Sequence, residues 1–158
     1  MTTLVSLSWK GIMKNQEIGF AFDCDASPMI PRCLTLKRHI HGGRIIWHRG
    51  QPFSLHRSEL QREDLMDGYD LLREAINLPL MNACGLSFFS THQYLIPDGV
   101  RSMCLCFWGT IFLDVHEFEY VPCLYRGKGR WYRGVRRLDD LFGEEDVAVL
   151  YPQAQSTS

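Results

Sequence analysis

Residues 95–121 restrict this chain to a sheet-rich fold. Pro97-Asp98-Gly99 supplies a preset φ, an Asx turn and a residue free to take positive φ. Beyond that turn, Met103, Leu105 and Phe107 alternate with Ser102, Cys104, Cys106 and Trp108. After Gly109-Thr110, a second alternation sets Phe112, Asp114, His116, Phe118 and Tyr120 against Ile111, Leu113, Val115, Glu117, Glu119 and Val121. A period of two in aromatic and β-branched residues marks strands.

Further strands are expected over 3–9, 17–24 and 32–40, with Lys14-Asn15-Gln16 as a turn and 25–31 as a proline-closed loop. His41-Gly42-Gly43 reads as a tight hairpin from 32–40 into Arg44-Ile45-Ile46-Trp47-His48, because paired glycines accept the φ values such a turn needs. Residues 86–90 read as another strand. Tyr125 to Arg137 reads as a hairpin about Gly127-Lys128-Gly129, and 147–151 as a last short strand. Asp139 to Asp146 forms an acidic loop or single helical turn between them.

One helix is expected, over about 58–77. Ser58-Glu59-Leu60-Gln61 fits a capping box, and the acids that follow suit the positive end of a helix dipole. Leu65, Tyr69, Leu72 and Ile76 recur at helical spacing as the expected buried stripe. Gly68 weakens the middle, and Pro79 turns Leu78 away from helical ψ, ending the helix near Asn77. The expected fold class is therefore α+β: a mostly antiparallel sheet, sandwich-like or an open barrel, with one main helix packed on it. Residues 1–152 are read as a single domain and 153–158 as a polar tail.

A chain of 158 residues can bury a core without metal or disulfide support. Net charge is −1, so any attraction to nucleic acid or membrane must come from local patches. No run approaches the roughly 18 apolar residues of a membrane span, so no membrane association is expected. Met1 to Trp9 lacks a positive n-region and a cleavage site, and reads as a strand and not a signal peptide. Its six cysteines, Cys24, Cys33, Cys84, Cys104, Cys106 and Cys123, are then expected as free structural thiols in a cytoplasmic protein.

Candidate chemistry is sparse. Between Arg32 and Arg62 seven basic residues face one acid, Glu59, and His39, His41, His48 and His56 lie among them. Close histidines can share a metal, but no spaced zinc signature is present and the arginines oppose a cation, so no metal is assigned. Cys104-Leu105-Cys106 puts two thiols on one strand face about 7 Å apart, which would suit a soft metal if His116 or Cys123 came alongside. Two small residues facing the helix is the simpler account. His56-Arg57-Ser58 is one half of a paired His-x-Ser arrangement whose second half is missing. No strained nucleophile turn is present; Cys84-Gly85 is not one, and Ser90-Thr91-His92 and Asp114/His116 supply bases without a partner. No glycine-rich phosphate loop or cofactor fingerprint occurs, so no catalytic residue and no cofactor is assigned.

Charge patterning carries the functional expectation. Arg126, Lys128, Arg130, Arg133, Arg136 and Arg137, with Trp131, Tyr125 and Tyr132 interleaved, make a basic, aromatic hairpin containing no acid. Arg44, Trp47, His48 and Arg49 form a second such segment. Arginine with aromatics suits both protein hot spots and nucleic-acid surfaces. The expected role is a non-enzymatic regulator that docks a protein partner with an acidic surface, as a modulator of transcription or signalling or an antagonist of another protein. Nucleic-acid binding through the same hairpins is the alternative, and a His/Cys hydrolase or metalloenzyme a further one. High aromatic content and an edge strand also make a homodimer an expectation.

Overall fold

The structure, a computed structural model, describes residues 19–153. The strand expected over 3–9, the turn at 14–16 and the tail from 154 lie outside the described residues. Strands are β1 (Gly19–Asp23), β2 (Thr35–His39), β3 (Arg44–His48), β4 (Ser54–His56), β5 (Met66–Asp67), β6 (Cys104–Cys106), β7 (Thr110–Leu113), β8 (Glu119–Gly127), β9 (Arg130–Arg137), β10 (Leu141–Phe142) and β11 (Asp146–Leu150). Helices are α1 (Glu59–Glu63), α2 (Gly68–Ala75) and α3 (Ala83–Thr91).

A seven-stranded sheet runs β2-β7-β8-β6-β11-β4, with β9 on the other edge of β8. All its pairings are antiparallel except β6 with β11. The expected α+β class, with a mostly antiparallel sheet, is what the chain forms. One edge of the long strand β8 is shared, Tyr120 pairing with Phe112 and Leu124 with Leu105, which makes the sheet curl.

Both faces of the sheet are covered. Leu105, Phe107, Leu124, Val147 and Val149 pack against Leu86, Phe88 and Phe89 of α3 and against Trp47. Cys106, Val121, Cys123 and Ala148 pack on the opposite face against Leu71 and Ala75 of α2 and Phe142. This double burial is why both sets of residues alternating through 103–108 are apolar.

The expected helix over 58–77 is broken in two. The capping box at Ser58 is present, with Gln61 Oε1 accepting from the Ser58 amide at 2.8 Å. Gln61 is itself buried and donates to the carbonyls of Gly143 and Asp146, so α1 is pinned to the loop before β11. The chain becomes extended at Asp64, forms β5 against β10, and restarts with Asp67 as the next N-cap. At Gly68 a Cβ would fall 2.5 Å from the Leu138 carbonyl, so the glycine marks a close backbone approach. Leu65, Tyr69 and Ile76 are exposed, and Gly68, Leu71 and Ala75 are the buried positions of α2.

Two further expectations are corrected. Residues 86–90 belong to a helix and not a strand, because Asn82 caps α3 through its side chain and Leu86, Phe88 and Phe89 are buried on the sheet. The 32–40 and 44–48 strands do not form a hairpin with each other. β3 pairs with β1, Trp47 opposite Phe20, while β2 pairs with β7. The β8–β9 hairpin and β11 fall where expected; Lys128 and Gly129 both take positive φ, as a two-residue hairpin turn requires. Among the described residues, no helix is long and apolar enough to cross a membrane.

Candidate functional site

The N-terminus of α3 is held by side chains. Asn82 Oδ1 accepts from the Cys84 amide at 3.0 Å, and its Nδ2 donates to the carbonyls of Cys24 (2.7 Å) and Ile40 (2.8 Å). The Ala83 amide donates to Thr110 Oγ1 at 2.8 Å. These bonds satisfy helix-end amides that would otherwise be orphaned. Gly109 lets the strand reach this point, since a Cβ there would lie 2.6 Å from the Leu80 carbonyl.

Cys84 occupies the second position of that helix, and its sulfur lies 3.8 Å from Nε2 of His39, a residue 45 positions earlier on β2. The other ring nitrogen, Nδ1, is 2.9 Å from Thr110 Oγ1. The Ala26 carbonyl caps the pair, 3.0 Å from His39 Nε2 and 3.4 Å from Cys84 Sγ. A carbonyl can only accept, and Asn82 Nδ2, 3.4 Å from Nε2, commits its two protons to the Cys24 and Ile40 carbonyls, so Nε2 carries the ring proton and Nδ1 accepts from the Thr110 hydroxyl. Burial lowers the His39 pKa, and burial followed by the Asp23 and Asp25 carboxylates raises that of Cys84. The resting pair is therefore a neutral imidazole and a neutral thiol.

A pocket of about 230 Å³ lies between α3 and the sheet; Ala83 lines it, while Cys84 and His39 do not. Ala83, Leu86, Phe112 and Val135 make its apolar walls, and Met29 and Pro31 from the loop that carries Ala26 cover it. Arg133 stands at its rim, with Nε donating to Ser90 Oγ at 2.9 Å.

The basic segments divide into tied and untied groups. Arg136 pairs with Asp146 and Asp140 and lies 4.1 Å from the Phe142 ring centre. Arg137 pairs with Asp139 and lies over Phe118. Arg133 is held by Ser90 and Ser87. Arg126 donates to its own turn at Gly129, Arg130 lies over Tyr132, and Lys128 is exposed at the tip. In the second segment Arg44 is exposed, Arg49 lies 5.9 Å from the Tyr94 ring centre, and His48 is half-buried. Two expected contact residues are corrected. Trp47 is fully buried among Phe53 and Phe89, and Trp131 is buried with its backbone bonded to Gln93, so neither reaches a partner.

All six cysteines are free thiols. Cys123 does come alongside Cys106 in register, whereas His116 lies in the exposed turn after β7. Among the described residues no three His, Cys, Asp or Glu side chains converge as a metal site.

Local spacing could not show His39, Cys84 and Thr110 as a group, because three separate elements contribute them. The one available signal was Asn82-Ala83-Cys84, a good N-cap two residues ahead of a cysteine. Comparison with protein-family models, curated proteins and solved structures finds no match to this chain.

Proposed function

We propose that the protein is a thiol-dependent acyl hydrolase or acyl transferase, with Cys84 as nucleophile, His39 as general base and Thr110 orienting the imidazole. The observation that carries this is the 3.8 Å approach of Cys84 Sγ to His39 Nε2, with Nδ1 already bonded to Thr110. Nucleophile, base and orienting group in sequence is the arrangement thiol catalysis needs.

In the resting state the Ala26 carbonyl sits where a reacting carbonyl would lie and holds the ring proton on Nε2. A substrate that displaces Ala26 removes that acceptor. The ring proton then moves to Nδ1, where Thr110 Oγ1 accepts it, and Nε2 is free to take the Cys84 proton. Sulfur attacks the acyl carbon, and the His39 imidazolium returns the proton to the departing amine or alcohol. Water, deprotonated by His39, then cleaves the thioester and restores the thiol; a second nucleophile in place of water gives transfer. The apolar pocket lined by Ala83, the residue before Cys84, has the size and polarity of a small acyl group.

The test is turnover of a p-nitrophenyl ester of a short fatty acid, with mass mapping of the acylated residue. The expected result is an acyl adduct on Cys84 and loss of turnover in Cys84→Ser. Turnover equal in wild type and Cys84→Ser overturns the assignment.

A second reading, docking of an acidic protein partner, is supported by the tip of the β8–β9 hairpin. Arg126, Lys128 and Arg130 have no carboxylate partner among the described residues, and Tyr125 beside them is 45% exposed. Titration with polyglutamate and with duplex DNA at two salt concentrations tests it. Polyglutamate binding lost on charge reversal at Arg126 and Arg130 supports docking. DNA binding that falls steeply with salt, without polyglutamate binding, favours the nucleic-acid alternative.

A further inference from the structure

Arg133 carries a charge that no carboxylate among the described residues pairs with. On the same strand, β9, Arg136 is claimed by Asp146 and Arg137 by Asp139. Arg133 Nε instead donates to Ser90 Oγ at 2.9 Å, while Nη1 lies 3.2 Å from Met29 Sδ and 3.5 Å from Ser87 Oγ. All three acceptors are neutral, and Nη2 makes no bond among the described residues. The guanidinium is thus fixed in place with its charge uncompensated.

It is fixed at the mouth of the pocket under α3. Ala83, Ser87 and Ser90 share one face of that helix by its 3.6-residue period, and their small side chains leave the gap to the sheet unfilled. Pro122 and Val135, register partners on β8 and β9, form the facing wall. Arg133 precedes Val135 by two residues and so shares its face of the sheet. At about 30 Å³ for each water-sized group, a cavity of about 230 Å³ holds about seven or eight heavy atoms.

We propose that this pocket binds a medium-chain aliphatic carboxylate, its chain against Ala83, Leu86 and Val135 and its carboxylate on the Nη2 side of Arg133. An apolar cavity with one fixed cation at its mouth is complementary to a molecule with an alkyl tail and an anionic head. Removing the tail from water supplies affinity, and a guanidinium held by serines orients the head through charge-assisted hydrogen bonds. The site stands apart from the acyl-transfer reading, because neither Cys84 nor His39 lines the pocket.

Calorimetric titration of the full chain with octanoate, and with octanol as its uncharged match, tests this. The expected result is one saturable site for octanoate, with octanol bound about tenfold more weakly, the worth of a charge-assisted contact. Arg133→Gln should lower octanoate affinity about tenfold and leave octanol unaffected. Arg133 is exposed, so that variant should keep the wild-type melting temperature. Ser87→Leu, which fills the cavity from the helix side, should abolish binding of both ligands. Absence of saturable octanoate binding, equal affinity for octanol, or undiminished binding in Arg133→Gln overturns the proposal. Octanoate should bind Cys84→Ser as it binds wild type, and loss of binding there overturns the placement. Failure of ester turnover leaves octanoate binding untouched, so the two readings fail separately.

Discussion

Thr110 Oγ1 lies 2.9 Å from Nδ1 of His39 and thereby decides which edge of the imidazole meets Cys84. The same oxygen accepts the Ala83 amide at 2.8 Å, so one hydroxyl sets both the ring and the helix that bears the thiol. Thr110→Val keeps the shape and removes both bonds. It should cost about 1–3 kcal/mol in urea unfolding, as expected when a buried amide loses its partner. It should also lower the rate of Cys84 acylation, and Thr110→Ser should restore both. A valine variant as stable and as reactive as wild type would show that Thr110 orients nothing.

Replacing the base separates catalysis from folding. His39→Gln should lower Cys84 acylation by about 10²-fold or more, the usual contribution of a general base. The variant should keep its circular dichroism spectrum, which distinguishes a lost base from a collapsed site.

The same histidine makes stability depend on pH. Burial holds the folded-state pKa of His39 below the ordinary value of 6.5. The unfolded chain therefore binds more protons just below that pH, and the contribution of His39 to stability is lost as pH falls from there through the lowered folded value. Melting temperatures measured between pH 7 and pH 5 should fall, and His39→Gln should flatten that part of the curve. An identical slope in the two proteins would assign the pH dependence to other groups.

The arginines of β9 and of the hairpin tip should respond differently to truncation. Arg136 is the partner of Asp146, whose side chain is only 7% exposed. Arg136→Ala leaves that carboxylate buried and unpaired, at a cost of about 3–5 kcal/mol. Arg130→Ala, at the exposed tip, should stay within about 0.5 kcal/mol of wild type. Chemical denaturation of the two variants side by side checks this contrast.

A close backbone contact at Gly109 gives a further test. Its added Cβ would meet the Leu80 carbonyl at 2.6 Å and the Asn82 amide at 2.9 Å, neither of which can move without shifting α3. Gly109→Ala should destabilise by about 1–3 kcal/mol, as overpacking does. Gly99→Ala, where nothing lies within 4 Å, is the control and should show no such loss.

Local chemistry in the sequence pointed to the parts of this fold that local chemistry decides. The Ser58 capping box, the hairpin turn at Lys128-Gly129 and the alternation in β9 depend on residues a few positions apart, and each forms where expected. The alternation expected to run unbroken over 111–121 is instead interrupted by a turn over 114–118 between β7 and β8. The partner of β2 depends on a strand some seventy residues away, which a glycine-containing turn beside it cannot reveal. Phe88-Phe89 suggested a strand because aromatic runs favour sheet, and tertiary burial on the sheet prevailed as helix. The candidate site was hidden for a related reason. Ala26, His39, Cys84 and Thr110 meet only after β2 has paired with β7 and α3 has docked at Gly109. The arginines were legible as a cluster, but which of them Asp139, Asp140 and Asp146 claim depends on how β9, β10 and β11 close up.

A sheet buried on both sides also acts as a partition. Cys84 belongs to α3 itself, whereas Cys106 and Cys123, with partly buried Cys104, pack on the other face. A reagent, electrophile or oxidant reaching one compartment meets a wall of backbone before the next. The sheet thus keeps the thiol on α3 apart from the thiols packed on its opposite face.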